Sequence, residues 1–185
     1  MSDILPAVGM VEFSSIGAGI EASDAMVKAA SVAPLFFKTI CPGKFVAAVG
    51  GDVAAVSASV AAGRERAADV IVDWLVIPNI HPAVLTALTG ADLTDRRGAL
   101  GIIETFSVAA IIRAADAAVK AAQVRLTDVR IAMGLGGKGY ALMVGDVGAV
   151  RAAVSAGAAG AAESGLLVRQ VVIPKPHADV YAHVL

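Results

Sequence analysis

Short apolar runs alternate along the chain with longer alanine-rich stretches whose polar positions recur at helical spacing. Residues 7–13 and 99–106 are short, mostly apolar runs of strand length. Each is followed by an alanine-rich segment, 17–30 and 109–122. There Ile20, Asp24, Val27 and Lys28, and likewise Ile112, Asp116, Val119 and Lys120, fall three and four apart. Residues 32–40 and 44–49 read as two strands around a Cys-Pro-Gly turn, because Pro and Gly supply turn dihedrals. Asp52 and Asp146 stand where an N-cap belongs, ahead of helices reaching about residues 68 and 162. Residues 70–77 and 166–173 are a fourth strand, ended by Pro78 and Pro174, and a short helix closes each set.

The two sets are one pattern written twice. Val8-Gly9-Met10-Val11-Glu12 matches Leu100-Gly101-Ile102-Ile103-Glu104, and Asp24 to Ala30 matches Asp116 to Ala122, both 92 positions on. Gly51-Asp52-Val53 matches Gly145-Asp146-Val147 at 94, and Val76-Ile77-Pro78 with His81 matches Val172-Ile173-Pro174 with His177 at 96. Four blocks in one order, with the spacing growing by two twice, are the mark of a tandem duplication with small loop insertions. The expected architecture is α+β: two tandem β-α-β-β-α-β-α repeats of ferredoxin-like, unpermuted order. Residues 1–90 form the first domain, 91–98 a polar linker, and 99–185 the second.

Composition narrows the picture. The chain is 57% hydrophobic but only 4% aromatic, and rich in Ala and Val, which suits close helix–sheet packing. A net charge of −1 gives no phosphate-tracking surface, so no nucleic-acid partner is expected. Mean hydropathy of +0.76 raises the question of a membrane span. The best candidate, residues 45–63, is broken by Gly50-Gly51-Asp52, so no membrane partner is expected and the apolar excess is assigned to cores and subunit contacts. Residues 1–6 hold no basic stretch or long apolar run, so no secretory signal is expected. A single cysteine excludes a disulfide framework and fits a cytoplasmic location.

Candidate chemistry concentrates in two equivalent loops. The first is Thr39-Ile40-Cys41-Pro42-Gly43-Lys44; its counterpart is Gly134-Leu135-Gly136-Gly137-Lys138, without a thiol. A lone cysteine is, by its chemistry, either a small buried apolar residue or a ligand that needs partners from elsewhere. The second loop fails as a phosphate loop: Ala132 occupies the first glycine position, and Gly139 follows Lys138 where Ser or Thr is required. It reads instead as a side-chain-poor turn between strands. Lys28 and Lys120 follow Asp24 and Asp116 by four residues, giving either a solvated ion pair or an edge contact. His81 and His177 each stand alone beside proline, suiting capping or edge contacts. Glu12 and Glu104, one carboxylate per repeat with no catalytic partner, point to structural hydrogen bonding and not to an enzyme.

The doubled domain order, the Gly-x-x-Glu strand, the Asp-Ala-x-x-Lys-Ala-Ala helix and the Pro-x-x-His closing motif resemble bacterial microcompartment shell proteins of the tandem-domain class. The resemblance implies homotrimers that mimic hexamers, tiling with other shell proteins around encapsulated enzymes. It places Lys28, Lys120, Asn79, His81, Lys175 and His177 at tile edges. The usual shell motif is Pro-Arg-Pro-His, so Asn79 and Lys175 stand where an arginine is expected, and the contact made there by a guanidinium fork must be rebuilt. The run 38–45 is similar to the pore loop of the tandem shell protein of propanediol-utilisation compartments. That similarity implies a [4Fe–4S] cluster on the three-fold axis, with one Cys41 from each subunit and Lys44 offsetting the negative charge. A metal-free central pore passing small metabolites is the alternative. A stand-alone metal-binding or small-molecule-binding module is a further one.

Overall fold

Every residue of β1 (Ala7–Phe13) is buried, and the first sheet is built outward from it. The computed structural model describes residues 6–89, 98–131 and 134–184. β1 pairs antiparallel with β3 (Lys44–Gly51) on one side and β4 (Ile71–Pro78) on the other, while β2 (Ala33–Ile40) forms the far edge, in the order β2-β3-β1-β4. β5 (Ala99–Thr105), β6 (Arg125–Ile131), β7 (Gly139–Gly145) and β8 (Leu167–Ile173) repeat this as β6-β7-β5-β8. The helices are α1 (Ile16–Ala29), α2 (Val53–Arg66), α3 (Pro82–Thr89), α4 (Val108–Ala121), α5 (Val147–Glu163) and α6 (Ala178–Val184). Each repeat is thus a four-stranded sheet with helices in the β-α-β-β-α-β order, an α+β fold in tandem. None of the helices described is long and apolar enough to cross a membrane. Residues 45–63 divide between β3 and α2.

Local chemistry sets the helix starts. Ser15 and Ser107 accept hydrogen bonds from the backbone N–H groups of Ala18 and Ala110, and Asp52 from that of Ala55. Asp146 has the extended N-cap backbone without the side-chain bond. α1 and α2 lie on one face of the first sheet, where Ala22, Met26 and Val60 meet Val11, Phe13, Phe45, Ala47 and Val49. Burying a side chain of Phe or Met size stabilises by about 1.5–3 kcal/mol. The helices come close because the strands offer glycine. A Cβ on Gly9 would lie 2.5 Å from Val60, and one on Gly101 would lie 2.7 Å from Val154.

One contact is solved in opposite ways by the two repeats. In the first, Gly19 of α1 lies under the ring of Phe45, 2.7 Å from where its Cβ would be. In the second, Ile111 takes the helix position and Gly139 the strand position, with 2.5 Å between the Ile111 Cγ2 and the missing Cβ. The large and small partners have changed places.

The contacts group residues 6–80 with 134–137 in one compact unit and residues 81–89, 98–131 and 138–184 in the other. The repeat pattern placed a division at 90 and 99. By contacts, α3, the closing helix of the first repeat, goes with the second unit, where it packs on β6 and α4. Of the expected linker, residues 91–97 lie outside the described residues.

Candidate functional site

β2 and β3 form a hairpin in which Ile40 pairs with Lys44, leaving Cys41, Pro42 and Gly43 as the turn. Gly43 has φ +72°, a backbone that side-chain-bearing residues rarely adopt. The Cys41–Pro42 peptide is cis. Ile40 is buried and anchors the turn, whereas Cys41, Pro42 and Gly43 are exposed. The reading of Cys41 as a buried apolar residue is thereby excluded: its thiol is free and faces outward. Behind the turn, Lys38 lies 4.7 Å from the centre of the Phe36 ring, and burial pushes its ammonium pKa down.

The glycine loop of the second repeat reaches this hairpin. Residues 132–133 lie outside the described residues; Gly134, Gly136 and Gly137 have φ of +70°, +61° and +88°. Leu135 is half-buried, and Gly137 is buried in the same compact unit as the cysteine turn. A Cβ at Gly137 would come within 3.1 Å of Pro42 Cδ, 3.3 Å of Lys44 Nζ and 3.4 Å of the Cys41 carbonyl oxygen. The two loops expected to be equivalent are therefore in contact, and glycine is what lets the second support the first.

Lys44 does not serve as an outward charge beside the thiol. Its Nζ lies 2.8 Å from Glu12 Oε1, with the Glu12 side chain fully buried and that of Lys44 17% exposed. The positive charge expected to offset thiolates and sulfides is compensated first by this carboxylate. Lys138 repeats the pair with Glu104 at 2.9 Å, in a more open setting of 42% and 33% side-chain exposure. Glu12 and Glu104 carry the structural bonding expected of them. Beyond Lys138, Asp128 bonds to Arg130 at 2.8 Å and raises the guanidinium pKa, and burial raises that of the Tyr140 phenol.

A single chain offers one thiol here. Among the described residues, no group of three or more His, Cys, Asp or Glu side chains is placed to hold a metal ion. Cys41 fits an iron–sulfur group by its chemistry and exposure only if further copies bring their own thiols to it.

The expected edge residues fall into two environments. Lys28 Nζ is 2.6 Å from Asp24, both exposed on α1. Lys120 Nζ is 2.6 Å from Asp116, whose side chain is nearly buried and also accepts a 2.8 Å bond from the His81 N–H. The His81 and His177 rings each accept a bond at Nδ1 from the second residue onward, Ala83 N–H and Asp179 N–H, and so cap their helices. Asn79 has φ +52° and donates its N–H to the Pro6 carbonyl at 2.6 Å; Lys175 is exposed. Sequence reasoning gave Asp24 and Asp116 only the part of ion-pair partners to Lys28 and Lys120, and it missed the bond that Asp116 accepts from the His81 N–H.

The BMC domain family model matches residues 7–80 and again 99–176. The bacterial microcompartment shell protein PduT of Citrobacter freundii is 51% identical over 175 residues, covering 95% of each chain. The bacterial microcompartment shell protein EutM of Salmonella typhimurium is 51% identical over 82 residues, 44% of this chain and 83% of its own. The crystal structure of a microcompartments protein from Desulfitobacterium hafniense superposes with a TM-score of 0.84 at 50% identity, covering 95% of this chain and 98% of that one.

Proposed function

The chain belongs to the BMC domain family of bacterial microcompartment shell proteins, and on that premise we propose that it assembles as a homotrimer whose central site is lined by the Cys41 hairpins. Shell proteins of this family assemble into tiles with other shell components. In our reading three copies set six BMC domains around one axis, within a shell in the cytoplasm, and the chain has no enzymatic role.

The observation that carries the central site is the exposed Cys41 on a turn braced from behind by Gly137. Glycines in the 134–137 loop leave room beside it, and Glu12 keeps Lys44 drawn into the sheet. Three Cys41 thiolates would hold three irons of a [4Fe–4S] cluster, which would supply one-electron transfer across the tile. The second reading is a metal-free pore for small metabolites; the side-chain-poor glycine loop, with Gly134 and Gly136 exposed, favours it, since it leaves a passage open.

Anaerobic reconstitution of the full chain with iron and sulfide tests the site. The cluster reading expects about four irons per three chains, a brown absorbance, and loss of both in Cys41→Ser. Equal iron uptake by Cys41→Ser removes the thiol from the site. A trimer that takes up no iron leaves the open pore. A chain that stays monomeric at all concentrations sinks both central-site readings.

A further inference from the structure

Arg64 and Trp74 form a pair that the fold itself does not require. The Arg64 guanidinium carbon lies 3.8 Å from the centre of the Trp74 ring, so a cation of α2 rests on an aromatic side chain of β4. The second repeat does without either residue. Trp74 pairs with Val11 as Gln170 pairs with Ile103, which makes Gln170 its counterpart. Val56 and Val60 of α2 stand 94 positions before Val150 and Val154 of α5, all four buried, and the same spacing sets Arg64 against Ala158, 2% exposed. α5 packs on β8 with alanine and glutamine where α2 and β4 carry arginine and tryptophan.

The charge of Arg64 is not matched within the chain. Its Nε is closed off from solvent with no acceptor, which leaves the terminal amino groups to reach outward. The acids near it in sequence are turned to other partners or to water. Glu21 bonds to Arg66, Asp73 accepts the Trp74 N–H at 2.8 Å, and Glu65 and Asp69 are exposed. A half-buried guanidinium without an acceptor calls for a physical reason. Stacking on the ring holds its fork in place, so little side-chain freedom is left to lose on binding. The surface beside it is apolar: Trp74 is 39% exposed, and Val72 on the same strand is 37% exposed. Trp and Arg are the residue types enriched among binding anchors.

We propose that Arg64 and Trp74 form a docking site for an acidic segment of another protein. An Asp or Glu carboxylate of that segment meets the terminal amino groups of Arg64, and a neighbouring apolar side chain covers Trp74 and Val72. Charge selects the partner: an uncompensated cation on an apolar surface attracts a carboxylate and rejects a basic segment. The ligand is macromolecular because a small anion on this open surface would leave Trp74 and Val72 uncovered. No residue of the Cys41 turn takes part, so the site stands or falls independently of the central-site readings.

Trp74 is the only tryptophan, so its fluorescence reports the site directly. The full chain is titrated with the peptide acetyl-Leu-Glu-Leu-Glu-Leu-amide, with the same peptide carrying Gln for Glu, and with inorganic phosphate. The Glu peptide should change the emission and half-saturate at about 1 mM or below. The Gln peptide should bind at least about tenfold more weakly, the effect of losing one charge-assisted hydrogen bond. Arg64→Lys keeps the charge but loses the fork, and should weaken the Glu peptide to a similar extent. Equal binding of the two peptides, which needs no variant to measure, overturns carboxylate recognition, as does unchanged affinity in Arg64→Lys. Phosphate binding as tight as that of the Glu peptide marks an adventitious ion only and overturns the protein partner. A titration still flat at about 10 mM Glu peptide overturns the site altogether.

Discussion

Removing the Lys44 ammonium should destabilise the chain far more than its position beside an exposed turn suggests. Its partner Glu12 is fully buried, and the 2.8 Å pair is nearly shielded from water. Lys44→Met leaves a carboxylate in the sheet without this cation. Breaking a buried pair from one side costs about 3–5 kcal/mol. The residual exposure of Lys44 places this case at the low end, about 3 kcal/mol. For a chain of this length that is a fall of roughly 6–12 °C in Tm. Neutralising both sides, with Glu12→Gln added, removes the buried charge as well and should recover about half or more of the loss, because well-packed neutral replacements of buried pairs are often near neutral. The assay is a double-mutant cycle by thermal circular dichroism at one fixed protein concentration, since assembly contributes to Tm by mass action. A Lys44→Met shift below about 2 °C, or a double variant as unstable as the two single losses added, would refute the reasoning.

Lys138→Met tests the same pair where it is open to solvent, and should cost less than about 1 kcal/mol, under roughly 4 °C. Gly137→Ala adds crowding against Pro42 and the Cys41 carbonyl to the left-handed strain that Gly136→Ala brings alone. It should lower stability by roughly 1 kcal/mol more, and only Gly137→Ala should alter the rate of Cys41 labelling by a thiol reagent. Arg64 Cζ lies 3.8 Å from the ring centre of Trp74, the one tryptophan of the chain. Arg64→Ala should shift its fluorescence emission and cost about 0.5–1 kcal/mol, read as a small fall in Tm.

The element order was legible because apolar runs, N-cap residues and turn prolines agree with one another in both halves. Most element ends fall within one or two residues of expectation. The fate of α3 was not legible. A repeat shows where a unit of sequence ends, not which neighbour its last helix packs against. The outward face of α1 was hidden for a related reason: Ile20 and Ile112 occupy the same place in the pattern, and only tertiary contact separates 56% exposure from 1%. Structural bonding was the expected role of Glu12, but its full burial was not legible, and becomes intelligible only once Lys44 is seen across the sheet. A signal did exist, since Glu104 and Lys138 recur together at the matching positions. Cys41 was the reverse case, a residue whose burial tendency alone would have placed it inside.

The exchange of Gly19 and Phe45 for Ile111 and Gly139 has a historical consequence. Two halves descended from one ancestor can normally trade segments by recombination, each repairing the other. Here a transfer of the α1 segment alone would set isoleucine against Phe45, and the reverse transfer would set glycine against glycine. The first overfills the contact, and the second leaves a void. The halves can thus exchange helix and strand together, but not either alone. Once both partners had changed, the duplication could no longer be smoothed back into two identical repeats by small steps. A half bearing a thiol and a half lacking one were then free to diverge without being averaged.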